Sequence, residues 1–242
     1  MHYHTPTQWI LFFFFYCFLG WMWECSYVSI KEGIEHKEFK FINRGFLHGP
    51  IIPIYGFAAV SILMATMPIR DNYLAVYFIG AVTATLFELI TGSTMERLFR
   101  VKYWDYSVFP LNFKGYICIF VSAFWGLAAL FLTTVIHVPA EDLICGMPQW
   151  LAEFAAFALV AAGAYDFNSS LNEVLDLRAV LSDVASDNLA AVKRFEKRID
   201  ATVAFSPLFN RDYAAKLLRR NPTIVSNRYN EAMKVIKELL RK

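Results

Sequence analysis

Apolar residues dominate the first two thirds of the chain in long runs, broken by short polar connections rich in Gly, Pro and aromatic residues. Trp9 to Ile30 is almost uninterrupted and matches the roughly 20 residues a helix needs to cross about 30 Å of hydrocarbon. Four more runs follow at Ile51–Met67, Tyr73–Gly92, Tyr116–Val138 and Met147–Ala164, so the pattern predicts about five transmembrane helices. The second is short and opens with Pro50 and Pro53, which suit a first helical turn because that turn needs no N–H partner. The fifth is interrupted by Glu153.

After Asp166 the pattern changes. Val174, Leu177, Leu181, Val184, Leu189, Val192, Phe195, Ile199 and Val203 recur at steps of three and four among charged residues, the signature of an amphipathic helix. Pro207, within Phe205–Asn210, breaks it, Asn221–Pro222 breaks the chain again, and Thr223–Lys242 reads as a last amphipathic helix. The expected fold is therefore all-α: a polytopic membrane helix bundle over residues 1–166, then a cytosolic helical tail over 167–242, as a hairpin or coiled coil.

Composition agrees with a membrane class. The chain is 57% hydrophobic with 23 Phe, and its mean hydropathy is +0.40, more apolar than an ordinary soluble domain. The apolar opening lacks the basic flank and small-residue cleavage site of a signal peptide. Cys17, Cys25, Cys118 and Cys145 show no paired spacing, and no disulfide is expected.

Net charge is only +2, but its distribution is uneven. No Lys or Arg precedes the first run; Lys31, Lys37, Lys40 and Arg44 follow it; Arg70 stands alone after the second. Arg97, Arg100, Lys102 and Lys114 follow the third, none lies between the fourth and fifth, and the other 14 are in the tail. Because basic loops stay cytosolic, this alternation predicts an outside N-terminus and a cytosolic C-terminus in a cell membrane.

That orientation brings Glu24, Arg44, His48, Glu88 and Glu96 toward one leaflet. Ionisable residues at membrane depth are costly, so they are paired or functional. Arg44 and the glycines of Phe41–Gly56 stand at a helix start, where free N–H groups favour an anion. Asn43 in the same turn, and Trp104 with Asp105 in the connection after the third run, complete the candidate ligand-binding or ion-pair cluster. The competing reading pairs Arg44 with Glu24 or Glu88, pinning helices together. Carboxylates scattered around His48 lack metal-ligand spacing, so no metal or cofactor is expected. His2, His4, His36 and His137 read as exposed or interfacial, without a cluster.

Asn43-Arg-Gly-Phe-Leu-x-Gly-Pro-x-x-Pro-Ile-Tyr-Gly56, Trp104-Asp-Tyr-Ser107, Gly115-x-Ile-Cys118 and Phe124-Trp-Gly126 together resemble the bacterial CmpB-like permease family, known as ABC-transporter type IV. Where the family pattern has Arg after the glycine of the third motif, this chain has Tyr116. The resemblance implies a permease-like component of the bacterial inner membrane with a separate ATPase subunit. The chain itself has no Gly-x-x-x-x-Gly-Lys-[Ser/Thr] phosphate loop. Five spans are few for a pathway, which implies a homo-oligomer; membrane lipid is the other expected contact, and nucleic acid is not. Two alternatives stay open: an enzyme acting on a lipid-type substrate at the cytosolic leaflet, and a structural or sensory protein recruiting partners through its tail.

Overall fold

The computed structural model describes residues 4–37, 41–186, 190, 192–197 and 213–241. It is all-α apart from one small hairpin, with eight helices in the described residues. Helix α1 spans Pro6–His36, α2 Pro53–Thr66 and α3 Tyr73–Phe99; α4 (Ile119–Phe131) runs through a π-helical turn into α5 (His137–Cys145). Helix α6 covers Gln149–Ser186, α7 Tyr213–Arg220 and α8 Asn230–Arg241. Four helical stretches are long and apolar enough to cross a membrane: Pro6–Ile34, Tyr73–Phe99, Ile119–Cys145 and Gln149–Ser186; Pro53–Ile69 is a shorter apolar helix. The chain is thus a multi-pass membrane protein.

Local chemistry sets the helix ends. Thr5 caps α1 in a reciprocal box: its hydroxyl accepts from the Gln8 N–H, and the Gln8 side chain accepts from the Thr5 N–H. Asn72 caps α3 by accepting from the Ala75 N–H at 3.1 Å. Lys37 and Arg100 close α1 and α3 in the left-handed conformation, at φ 56° and 63°. Glu153 lies in the first turns of α6, at the end of the bundle, and accepts a hydrogen bond from Gln149 at 2.8 Å.

Inside the bundle the helices touch through small residues. A Cβ added to Gly56 on α2 would sit 2.4 Å from the Cys17 sulfur of α1, and one on Gly80 of α3 would sit 2.0 Å from the Ala129 Cβ of α4. Such close backbone approach lets dispersion hold helices together where lipid removes the hydrophobic driving force. Phe78, Leu86 and Ile90 on α3, Phe124, Leu127 and Phe131 on α4, and Phe154 and Phe157 on α6 are exposed, an apolar girdle suited to acyl chains. All four cysteines are free thiols.

A second core lies at one end of the bundle. Val174, Leu177, Leu181 and Val184 of α6 pack with Phe99, Val101 and Tyr103, with Leu217 of α7 and with Ile236 of α8. The amphipathic stripe of α6 is therefore covered by the chain's own α7, α8 and α3–α4 connection. Helix α6 runs without a break past residue 166, so bundle and tail share it. The final helix starts at Asn230 rather than Thr223. Val225 instead pairs with Lys102 in an isolated antiparallel bridge, through N–H···O bonds of 2.8 and 3.0 Å, and that pairing holds Ile224 buried from non-helical backbone. The expected break at Phe205–Asn210 falls outside the described residues. Between α3 and α4, strands β1 (Asn112–Phe113) and β2 (Ile117–Cys118) form a hairpin.

Candidate functional site

The Phe41–Gly56 segment threads between the bundle and this cap, and most of its polar groups find internal partners. Trp21 donates to the Asn43 side-chain oxygen at 2.6 Å, and the Asn43 amide donates to the His48 carbonyl at 2.8 Å. Arg44 Nε lies 3.2 Å from a Glu24 carboxylate oxygen, and its Nη2 donates to the Tyr103 carbonyl, also at 3.2 Å. Tyr55, one turn into α2, donates to the other Glu24 oxygen at 2.7 Å. Asn221, 1% exposed, accepts from the Gly45 N–H at 3.1 Å and donates to the Gly45 carbonyl at 3.0 Å.

The backbone amides at the His-Gly-Pro step do hold an anion, and it belongs to the chain. His48 N–H and Gly49 N–H donate to the two carboxylate oxygens of Asp166, at 2.9 and 2.7 Å. The His48 ring lies between two carboxylates of α6: Nδ1 is 2.7 Å from Asp166 and Nε2 is 2.9 Å from Glu173. Ser170 joins both His48 Nδ1 and Asp166. The second oxygen of Glu173 accepts from Arg220 at 3.1 Å, and Arg220 also donates to the Phe46 carbonyl at 3.0 Å. This network ties three separate parts of the chain, loop, α6 and the end of α7, into one unit.

Glu88 and Glu96 are held by the α3–α4 connection instead. Glu88, 5% exposed, accepts from the Tyr106 hydroxyl at 3.0 Å, while its other oxygen makes no aligned hydrogen bond among the described residues, although the Trp125 indole stands beside the carboxylate. Burial first, then the Glu88 carboxylate, pushes the Tyr106 hydroxyl far above its usual range, so it remains a donor. Glu96 accepts from Tyr116 and from Asn227, and lies 3.7 Å from Lys102 Nζ. The Glu96 hydrogen bond and, secondarily, burial raise Tyr116 to about 12. Lys102 sits 4.9 Å over the Tyr116 ring, so a cation stands beside the position where the resemblance led to an expectation of Arg. Lys102 also lies 3.9 Å from Asp105, whose carboxylate accepts from the Ser107 N–H. Trp104 donates to the Tyr116 carbonyl at 2.9 Å.

The eight candidate residues thus fall into neighbouring groups rather than one pocket: Glu24 with Arg44, Glu88 with Tyr106, Glu96 and Asp105 with Lys102, Trp104 with Tyr116, Asn43 with the His48 carbonyl, and His48 with α6. Asp166, Ser170, Glu173, Arg220 and Asn221 went unread in the sequence. The signal was there for three of them, because Asp166, Ser170 and Glu173 continue the Leu177–Leu181 stripe at steps of four and three. His4 and His137, expected to be exposed or interfacial and unclustered, instead lie buried side by side, with ring centroids 6.0 Å apart. His4, just ahead of α1, meets the start of α5, a contact no local spacing encodes.

Residues 11–171 match the model of the family described as "Putative ABC-transporter type IV". No curated protein and no solved structure matches.

Proposed function

The chain belongs to the ABC-transporter type IV (CmpB) family, and on that premise we propose that it is a permease-like component working with a separate ATPase. The observation that carries this reading is the division of the molecule into a lipid-suited bundle and a folded cap at one end. A permease lacking its own phosphate loop needs a shaped surface on which an ATPase can dock. The distribution of basic residues supports five spans, a cytosolic cap and an outside N-terminus. α2 then crosses with its short 3-10 extension, Met67–Ile69, inside a homo-oligomer.

In this reading the solute-facing group is Glu88 rather than the Phe41–Gly56 loop. Arg44 is neutralised by Glu24, and the loop amides are occupied by Asp166, so an external anion would have to displace the chain's own carboxylates. Glu88 keeps one oxygen without an aligned hydrogen bond inside the helix bundle, beside the Trp125 indole, and an intramembrane carboxylate is a candidate functional group by default. Purification of the full chain from native membranes in mild detergent should bring down a phosphate-loop ATPase, with ATP hydrolysis eluting together with the chain. Elution of the chain free of any such ATPase would sink the proposal.

A further inference from the structure

The end of the bundle opposite the cap carries a second cluster, and its polar groups are incompletely satisfied. His4 precedes the capping residue of α1 and is 2% exposed in its side chain, while His137 opens α5 and is 4% exposed. The Nε2 atoms of both are buried and accept or donate no hydrogen bond among the described residues. Glu141 follows His137 by four residues, which places both on one face of α5. One Glu141 oxygen lies 3.4 Å from His4 Nε2, close but outside hydrogen-bond alignment, and one donor atom from each of the three residues lies within 4.8 Å of the others.

We propose that His4, His137 and Glu141 bind a divalent transition metal of the zinc class. Two imidazoles and a carboxylate are a recurrent ligand set for tetrahedral zinc with one open position. Zinc–ligand bonds near 2.05 Å place neighbouring ligand atoms about 3.4 Å apart, the separation already seen between His4 and Glu141. The far nitrogens are held in the manner of metal-bound histidines: His137 Nδ1 is 2.8 Å from the Tyr16 hydroxyl, and His4 Nδ1 is 3.6 Å from the Cys145 sulfur. Each contact engages Nδ1 and leaves Nε2 without a hydrogen bond among the described residues.

The surroundings fit this assignment. Trp9 and Phe12 meet the His4 ring edge-on at 5.1 Å, giving the dry shell that strengthens metal–ligand bonds, while Glu141, 21% exposed, opens the site to solvent. The π-helical turn Leu132–Ile136 directly precedes His137; turns of this kind often re-aim side chains at functional sites. A bound ion would tie the start of α1, through His4, to the start of α5 just after the π-helical turn. The assignment is independent of the transport reading.

The test uses the full chain without a polyhistidine tag, titrated with Co²⁺ and Zn²⁺ in detergent. One Co²⁺ per chain should bind with the intense visible absorption of a tetrahedral site, and Zn²⁺ should displace it and raise Tm. His4→Ala and Glu141→Gln should each weaken binding by at least about tenfold and remove the Zn²⁺-dependent rise in Tm, whereas His36→Ala, at the far end of α1, should leave both intact. His4 lies outside every helix, so His4→Ala decides the question even if the Glu141 variant misfolds. Equal metal binding by the wild-type chain and His4→Ala, at whatever affinity, would overturn the proposal.

Discussion

Each end of the bundle gathers histidines and carboxylates, but the two ends treat them differently. At the cap end, both His48 nitrogens face carboxylates, both Glu173 oxygens are taken, and both Asp166 oxygens accept backbone amides. At the opposite end, two buried imidazoles each keep an Nε2 without a hydrogen bond among the described residues, His4 Nε2 meeting only a Glu141 oxygen at 3.4 Å. Buried polar groups left unsatisfied are uncommon and costly. The contrast teaches that the first cluster is a clamp between loop, α6 and α7 whose carboxylates are all engaged, with Arg220 Nε left without a hydrogen bond among the described residues, while the second leaves open the nitrogens that the proposed metal would use.

The comparison breaks most visibly at Glu173. Glu173→Ala would leave Arg220, 11% exposed in its side chain, and one His48 nitrogen without their partner. The expected loss is about 3–5 kcal/mol, read by chemical unfolding in mild detergent; a loss below about 1 kcal/mol would show that the clamp is not one. Asn221→Ala strips both backbone groups of Gly45 and should cost about 1–3 kcal/mol in the same assay. Asp166→Asn keeps an acceptor for one of the two loop amides but weakens the charge-assisted bonds, so about 1–2 kcal/mol is expected, with faster proteolysis near residues 45–50 as the local readout. The smallest effect belongs to the other end. Without metal, His4→Ala forfeits ring packing on Trp9, Phe12 and His137 and the long contacts to Glu141 and Cys145, about 1 kcal/mol. A cost as large as that of Glu173→Ala would mean that His4 is a structural member and erase the distinction between the ends.

Much of the bundle was readable from apolar run length alone, because a span must satisfy its backbone internally and cover itself with apolar side chains over a fixed thickness. Its ends were less readable: α1 extends to His36 and α6 to Ser186, since a helix continues into water whenever its next turn finds packing. The pairing of Arg44 with Glu24 was one of the two readings open in the sequence, and the two side chains lie 3.2 Å apart. The partners of His48 were missed for a definable reason. Asp166, Ser170 and Glu173 lie on the buried face of α6, but three polar residues end an apolar pattern instead of extending it. Their place on that face becomes visible only when the stripe beyond them is followed back.

The sequence by itself determined that this is a helical membrane protein, roughly where its chain crosses, and which connections carry basic charge. Those properties depend on local composition and on the 3.6-residue period, which any stretch carries within itself. Tertiary structure decided which charges meet. Asp166 occupies the amides of the His-Gly-Pro step, Asn221 holds Gly45, and His4 reaches His137 and Glu141, all between residues far apart in the chain. Such contacts arise from how helices lean and loops fold back, and local spacing carries no record of them.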